Sequence, residues 1–312
     1  MGEPDLGAEE ELSELGGVLV AAVTPRRKDG RELDLAASLE LIDFLCAAGV
    51  QGIALLGSTG EFLNLTFDER VRLVYMAVKR SRVPLLAGIS HSSLDGAVEL
   101  GREAMGNGAA GLLLMPPYFF RYSQADILEF FLQFAARIGN APVFLYNIPF
   151  FTNPLEVETA IELLATGRFA GIKDSSGQFD YMERLLEFRR ERPFTVMVGN
   201  DVIFTRSRRC GADGVVSGVA CAVPELMLAL DRAICSGDEA GIARLEAQLQ
   251  EFIAWIDRVP APVGVKRAVA ARGLKVGPLA VPLSKESERA FAGFEEWFQA
   301  WLPLVKQDAA GA

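Results

Sequence analysis

One unit recurs along most of this chain: a short apolar run that ends in a turn, followed by an amphipathic stretch. Eight such runs occur, at residues 17–25, 50–57, 83–89, 111–116, 142–147, 169–173, 194–199 and 214–219. The stretches between them, such as 34–48 and 66–81, carry apolar residues at helical spacing, and several begin with an N-cap residue such as Thr66 or Ser123. Strands and helices that alternate in this way form parallel sheets with right-handed crossovers, and eight repeats predict an α/β protein with a closed (β/α)8 or TIM barrel. The alternative, a doubly wound open sheet, calls for a glycine-rich loop after the first strand, and residues 23–27 (VTPRR) do not form one.

The alternation of strands and helices ends after Ala220. Helices are predicted over residues 224–235, 238–259, 262–272 and 284–301, separated by Gly237, Pro260, Gly273 and Gly277. The predicted organisation is therefore a mobile N-terminal tail (1–15), a barrel (16–236) and a C-terminal helical appendage (237–312). The apolar stripe of Leu245, Leu249, Phe252 and Trp255 is expected to pack inside the appendage, with part of it facing another subunit.

Composition excludes several classes of function. The chain has 312 residues, half of them apolar, and a net charge of −10. It has no block of Lys and Arg interleaved with aromatic residues, so nucleic acid is not expected as a partner. Its four cysteines, Cys46, Cys210, Cys221 and Cys235, show no CxxC pairing and no nearby histidine at metal-ligand spacing, which predicts no metal site and a reducing compartment. The first fifteen residues lack a basic segment followed by an apolar one, and no run of about eighteen apolar residues occurs. These features predict a cytoplasmic protein without a membrane segment.

Lys173 closes the sixth apolar run, FAGIK (169–173), just before a loop. A lysine in apolar surroundings loses solvation of its ammonium form, and the free amine can attack a ketone to form a Schiff base. The ordinary alternative is a lysine at a strand end that extends to water. Residues at the ends of two other strands favour an active site, because the carboxyl ends of barrel strands converge on one mouth.

These two strand ends carry GSTGE (57–61) and YNIP (146–149). Ser58 and Thr59 lie in a tight turn flanked by glycines, where successive backbone N–H groups can point at one anion such as a carboxylate. Tyr146 offers a phenol that can transfer a proton near a Schiff-base nitrogen. Together with Lys173, these residues predict one catalytic site at the barrel mouth.

The order and spacing of GSTGE (57–61), YNIP (146–149) and GIKD (171–174), with VGND (198–201) and GVVS (214–217) as weaker supports, resemble the dihydrodipicolinate synthase/N-acetylneuraminate lyase superfamily of Schiff-base aldolases. The resemblance covers the chain from about Gly17 to its C-terminus. It implies that Lys173 forms an imine with pyruvate or another 2-keto acid, that Tyr146 relays protons, and that Ser58 and Thr59 hold the carboxylate. It also implies a homotetramer built from two tight dimers, with no metal or organic cofactor. The substrate-binding residues that it implies are Gly57, Thr59, Gly199, Val216, Phe119 and Phe151.

Phe119 and Phe151 are departures from the pattern of the dihydrodipicolinate synthases. Those enzymes have a second tyrosine where this chain has Phe119, and an arginine that binds the carboxylate of the aldehyde where this chain has Phe151. A phenyl ring cannot relay a proton, and losing a charge-assisted contact commonly costs several kcal/mol. The sialic acid lyases have an acidic residue where this chain has Val202, and a serine where this chain has Gly218. These differences weaken both the assignment as a dihydrodipicolinate synthase and the assignment as a sialic acid lyase.

The segments EFLNLT (61–66) and LMPPY (114–118) look more like those of the 2-keto-3-deoxy sugar-acid dehydratases and aldolases and the 4-hydroxy-2-oxoglutarate aldolases of the superfamily, which leaves both carbon–carbon and carbon–oxygen lyase activity open. A lyase or aldolase acting on such an acid is therefore the first prediction. The alternatives are a 4-hydroxy-tetrahydrodipicolinate synthase, which joins pyruvate to aspartate semialdehyde, and a non-catalytic 2-keto-acid-binding protein. His91, the only histidine, and Arg121 lie near the predicted mouth, and both are expected to be solvated loop residues. The alternative for His91 is a role as an acid or base. The alternative for Arg121 is a role in binding a substrate carboxylate.

Overall fold

A computed structural model describes residues 15–28, 30 and 32–311. Its centre is a closed barrel of parallel strands in sequential order, each hydrogen-bonded to the next and the eighth to the first, as the repeats predict. The strands are β1 (Gly17–Ala21), β2 (Gly52–Leu55), β3 (Leu85–Gly88), β4 (Gly111–Leu114), β5 (Val143–Asn147), β6 (Gly171–Asp174), β7 (Thr195–Val198) and β8 (Gly214–Ser217). Each strand falls in one of the predicted apolar runs, and β6 extends one residue beyond its run. The strands are buried on both faces, which explains why they read as continuous apolar runs without alternation.

Helices connect the strands around the outside of the barrel. They are α1 (Leu35–Ala48), α2 (Phe67–Arg80), α3 (Leu94–Gly106), α4 (Gln124–Ile138), α5 (Val157–Ala165), α6 (Phe179–Phe188) and α7 (Phe204–Arg209). The two predicted N-caps are confirmed: the side chains of Thr66 and Ser123 accept from the backbone N–H groups of Glu69 and Asp126, and each forms a capping box. Short 3-10 turns at Phe62–Asn64 and Asp201–Ile203 follow β2 and β7.

The C-terminal part is helical, as predicted. After β8 come α8 (Val219–Ala222), α9 (Pro224–Ser236), α10 (Glu239–Ile256), α11 (Val263–Ala271), α12 (Lys285–Ala290) and α13 (Phe294–Ala310). The single helix predicted over residues 284–301 is wrong, because Gly293 adopts a left-handed conformation (φ 81°) that separates α12 from α13. The predicted packing of the apolar stripe is confirmed: Leu245, Leu249 and Phe252 are buried, and Trp255 stacks on Trp297 at 5.3 Å between ring centroids.

Residues 1–14 of the predicted tail lie outside the described residues, and Leu15 is buried against the core. Gly237 caps α9 in the left-handed conformation, and the division into barrel and appendage at this glycine stays a prediction. None of the helices in the described part of the chain has both the length and the apolar character needed to cross a membrane.

Candidate active site

Tyr146 on β5 and Lys173 on β6 are direct partners in the parallel register of the barrel. Both side chains are buried, with 2% and 4% of their surface exposed. The Lys173 Nζ lies 4.2 Å from the centroid of the Tyr146 ring. Because partners in register present their side chains to the same face of the sheet, the amine and the phenol lie side by side at the carboxyl ends of their strands.

The next pair in register, Asn147 and Asp174, holds these two strand ends together. The Asn147 side-chain amide donates to Asp174 Oδ1 at 2.7 Å, and the Ser176 hydroxyl donates to Asp174 Oδ2 at 2.7 Å. The Asn147 side-chain carbonyl oxygen in turn accepts the backbone N–H of Leu155 at 3.1 Å. Burial raises the pKa of Asp174 to about 6, although these hydrogen bonds act in the opposite direction. These hydrogen bonds connect the ends of β5 and β6, the strands that carry Tyr146 and Lys173.

The turn after β2, residues 57–61, contacts Tyr146 through Ser58. The Ser58 hydroxyl lies 3.1 Å from the Tyr146 hydroxyl, so these two groups can exchange a proton, and the Lys173 amine lies over the ring of the same tyrosine. The turn is held by the Thr24 hydroxyl, which donates to the Gly60 carbonyl oxygen at 2.7 Å. A Cβ atom on Gly60 would lie 3.0 Å from the Leu56 nitrogen, a tighter contact than most side chains make, so glycine suits this close approach.

Glu61, the last residue of the turn, forms an ion pair with Lys266 of α11. Lys266 is only 1% exposed and Glu61 is 13% exposed. Glu61 adopts a left-handed conformation (φ 50°), which is uncommon for a residue with a side chain. This pair cannot be read from the sequence, because nothing local in either segment points to the other.

Gly199, which follows β7, lies close to the side chain of Lys173. A Cβ atom at this position would lie 2.9 Å from Lys173 Cε and 2.1 Å from Ser175 Oγ. A side chain larger than hydrogen would therefore displace the lysine. The prediction that Gly199 belongs to the site thus has a steric reason.

Asp201 is a further site residue to which the sequence analysis assigned no role. Its carboxylate interacts with the Ser217 hydroxyl, the Val219 backbone N–H and the charge of Lys173, but burial outweighs them and raises the pKa of Asp201 to about 6. Its Oδ1 atom is buried and has no hydrogen-bond partner within the described residues. Asp201 thus offers an unused acceptor close to Lys173.

A cavity of about 620 Å³ opens beside the turn. Three of the predicted site residues line it: Ser58, Thr59 and Phe151. Its opposite wall comes from the segment between α11 and α12, at residue 279 and residues 281–284, and no local signal in the sequence connects this segment with the site. The cavity therefore joins the barrel mouth to the C-terminal helical part.

Other predicted residues lie elsewhere. Gly57 and Val216 are buried in the barrel, and Val216 pairs with Leu19 of β1; neither is among the described residues that line the cavity. Phe119 is 88% exposed and has a positive φ of 81°, so within a single chain it points away from the cavity.

His91 and Arg121 also lie outside the lining of the cavity, as far as the described residues go. His91 Nδ1 accepts the backbone N–H of Ser93 at 3.1 Å, a contact within its own loop. Arg121 is exposed to solvent. The loop roles expected for both residues are therefore favoured over catalytic ones.

A parallel barrel with a buried lysine near the mouth, beside a tyrosine, has the features of a class I aldolase, in which the lysine forms a Schiff base. A model of the dihydrodipicolinate synthetase family matches residues 14–300, and the chain therefore belongs to this family. Members of the family are pyruvate-dependent lyases of the class I aldolase type. The family and the enzyme class predicted from the sequence are confirmed.

Individual relatives cover almost the whole chain. The 4-hydroxy-tetrahydrodipicolinate synthase of Methanosphaerula palustris is 32% identical over 284 residues, which span 90% of this chain and 97% of the relative. The solved structure of the 4-hydroxy-tetrahydrodipicolinate synthase of the methanotroph Methylacidiphilum fumariolicum has a TM-score of 0.86 at 27% identity, over 94% of this chain and 99% of its own. YagE, a prophage protein of E. coli from the dihydrodipicolinic acid synthase family solved in complex with pyruvate, has a TM-score of 0.84 at 28% identity, over 92% of this chain and 98% of its own.

Proposed function

We propose that the protein joins pyruvate to an aldehyde, or cleaves the product of that reaction, through a Schiff base on Lys173. The observation that carries the proposal is the arrangement of three groups in which the Lys173 amine lies over the Tyr146 ring and the Tyr146 hydroxyl meets the Ser58 hydroxyl at 3.1 Å. The pyruvate bound to YagE, a family member of known structure, supports pyruvate as the keto acid.

The reaction follows from the chemistry of these groups. The Lys173 amine adds to the ketone of pyruvate and water leaves, which gives an imine. Loss of a methyl proton gives an enamine, whose carbon attacks the aldehyde carbon while the aldehyde oxygen takes up a proton. Water then hydrolyses the imine, releases a 4-hydroxy-2-oxo acid and returns the free lysine. We assign the proton transfers to Tyr146 and the pyruvate carboxylate to the turn of Ser58 and Thr59.

Two more specific functions, the sugar-acid aldolase and the 4-hydroxy-tetrahydrodipicolinate synthase, differ in the aldehyde that they use. The names of the curated relatives support the 4-hydroxy-tetrahydrodipicolinate synthase better than they support the sugar-acid aldolase that the sequence predicts first. Against the synthase, Phe151 stands in the wall of the cavity where that enzyme requires an arginine. The synthase is therefore kept as the second candidate, and aspartate semialdehyde belongs in every substrate test.

Borohydride trapping tests the proposal. The protein is incubated with pyruvate, reduced, and analysed by intact mass; we expect one covalent adduct per chain, and a peptide map that locates it on Lys173. If pyruvate binds by calorimetry but leaves no adduct, the non-catalytic 2-keto-acid-binding protein is the correct reading.

We also propose that the exposed phenylalanines near the mouth are covered by a second copy of the chain. Phe119, Phe120 and Phe150 are 88%, 64% and 72% exposed, and such clustered apolar surface is typical of protein interfaces. The homotetramer implied by the family resemblance would bury this surface. Sedimentation velocity decides between a tetramer, a dimer and a monomer, and a monomer at micromolar concentration would contradict the proposal.

A further inference from the structure

The cavity beside the turn is large enough to hold a second substrate. Lys173 and Tyr146 are not among the described residues that line it, but Ser58 is, and its hydroxyl lies 3.1 Å from that of Tyr146, so the cavity borders the catalytic candidates. Its volume of about 620 Å³ lies within the range of small-molecule sites. Phe62 and Leu63, which follow the turn, form one side, and Leu279, Val281 and Leu283 form the other. Leu63 and Val281 are 66% and 69% exposed, so the apolar lining continues to the rim. A bound molecule would therefore meet apolar side chains from the floor of the cavity to its opening.

The cavity carries no free charge among the described residues that line it. Glu61 is the only charged residue of this lining, and its carboxylate is paired with the buried ammonium of Lys266. A carboxylate or an ammonium group on the second substrate would lose its hydration without gaining a partner of opposite charge, which is costly. This argues against aspartate semialdehyde, which carries both groups.

Four hydroxyl groups of the lining, those of Ser58, Thr152, Ser284 and Ser287, already form hydrogen bonds within the protein. The Ser284 and Ser287 hydroxyls lie 3.1 Å apart, and Ser284 also accepts the backbone N–H of Ser287 at the start of α12. The Thr152 hydroxyl lies 3.2 Å from the backbone carbonyl oxygen of Ile148. A polyhydroxylated chain loses its hydrogen bonds with water when it binds, and it would find few free partners in the cavity to replace them. This argues against a sugar-derived aldehyde.

We infer that the second substrate is an aldehyde with an uncharged, apolar substituent, either aromatic or branched aliphatic. This inference rests on the function proposed above and adds the class of the acceptor. The carbon–carbon bond forms between the enamine carbon of pyruvate and the aldehyde carbon, and the aldehyde oxygen becomes a hydroxyl. The product is a 4-hydroxy-2-oxo acid with an apolar group on its hydroxyl-bearing carbon, and the reaction needs no oxidant or reductant.

A panel of aldehydes with saturating pyruvate tests this inference. Benzaldehyde and 3-methylbutanal represent the apolar class, aspartate semialdehyde the charged class, and glyceraldehyde the hydroxylated class; product formation is followed by mass spectrometry. We expect kcat/KM for the better apolar aldehyde to exceed that for either of the others at least tenfold. If aspartate semialdehyde or glyceraldehyde has the highest kcat/KM, the inference is wrong while the proposed function stands. If pyruvate leaves no borohydride adduct, the function itself fails and the inference fails with it.

A pair of variants links the preference to the cavity. Val281→Asp places a charge in the apolar wall at a largely exposed position, so the fold should tolerate it. We expect it to lower kcat/KM for the apolar aldehyde at least tenfold. Leu304→Asp, at a 57% exposed position of α13 that does not line the cavity, is the matched control and should keep the wild-type value. Equal values for the two variants would overturn the assignment of the cavity to the acceptor, and borohydride trapping on the same samples reports whether each still forms the imine.

Discussion

Lys266 of α11 and Glu61 of the turn after β2 form a buried ion pair across 205 residues of sequence. The pair connects the C-terminal helical part to the turn that carries Ser58 and Thr59. It also neutralises the only charge in the described lining of the cavity. One contact thus joins the two parts of the chain and neutralises the charge of Glu61 in the cavity.

Removing one partner of this pair should be strongly destabilising. Lys266→Met leaves the Glu61 carboxylate buried and unpaired, and we expect the free energy of unfolding to fall by about 3–5 kcal/mol. Urea denaturation measures the change. Lys275→Met is the matched control, because Lys275 forms an exposed ion pair with Glu40 at 3.7 Å and its loss should change stability by less than about 1 kcal/mol. The double variant Lys266→Met with Glu61→Gln should recover part of the loss, and no recovery would show that the pair is not the cause.

Lys173→Ala should abolish borohydride trapping of pyruvate while the fold is retained. The lysine supplies the only amine placed beside Tyr146 in the described site, and residues at the barrel mouth contribute little to the core. Intact mass after reduction gives the result, and far-UV circular dichroism checks the fold. Lys306→Ala, at an exposed position of α13, should trap as the wild type does. An adduct on the Lys173→Ala variant would rule out the proposed mechanism.

Tyr146→Phe should lower kcat by about a hundredfold, the usual scale for losing a positioned proton-transfer group. The variant keeps the ring over Lys173 but loses the hydroxyl that meets Ser58. Trapping of pyruvate should therefore still occur, more slowly. Steady-state and trapping kinetics are compared with those of Tyr75→Phe, an exposed tyrosine on α2. Turnover near the wild-type value would remove Tyr146 from the mechanism.

Phe151→Arg should shift the acceptor preference toward aspartate semialdehyde. A guanidinium in the wall of the cavity can pair with the carboxylate of this aldehyde and disfavours apolar groups. We expect the ratio of kcat/KM for aspartate semialdehyde to that for the best apolar aldehyde to rise at least tenfold, or about 1.4 kcal/mol. Phe150→Arg is the control, since Phe150 is adjacent and exposed but does not line the cavity. An equal shift in both variants would point to a general charge effect.

The buried carboxyl of Asp174 predicts a pH dependence of stability. Its pKa is about 6 in the folded state, against an ordinary value of 3.8 for an aspartate in water. The folded state therefore binds this proton more tightly, so its contribution to stability is present below pH 4 and is lost as the pH rises to about 6.

Asp174→Asn removes this titration. The free energy of unfolding of the variant minus that of the wild type should rise by about 1–3 kcal/mol between pH 4 and pH 6 and stay constant above pH 7. Urea denaturation at each pH gives the difference, in which the other titrating groups cancel. A difference that falls over this range would contradict the raised pKa.

Much of the site could be predicted because its signals are local. Three signals can each be read within a few residues: an apolar run that ends in lysine, the glycines around Ser58 and Thr59, and the order of Tyr146 and Lys173 on consecutive strands. The closed barrel then brings them together, since the carboxyl ends of its strands share one mouth. The break at Gly293 could not be read from the sequence because glycines also occur within helices, and only the left-handed backbone conformation shows that this one lies between two helices, as the N-cap of α13.

Local sequence patterns were enough to predict the barrel, the helical C-terminal part and the grouping of Lys173, Tyr146 and Ser58. Periodicity and turn chemistry depend on neighbours along the chain, so they can be read without knowledge of the fold. The three-dimensional structure was needed to show that Lys266 neutralises Glu61 and that Phe151 lines the cavity while Phe119 points away from it. It was also needed to show that residue 279 and residues 281–284 close the opposite wall. These relationships join segments distant in sequence, and packing of the whole chain sets them.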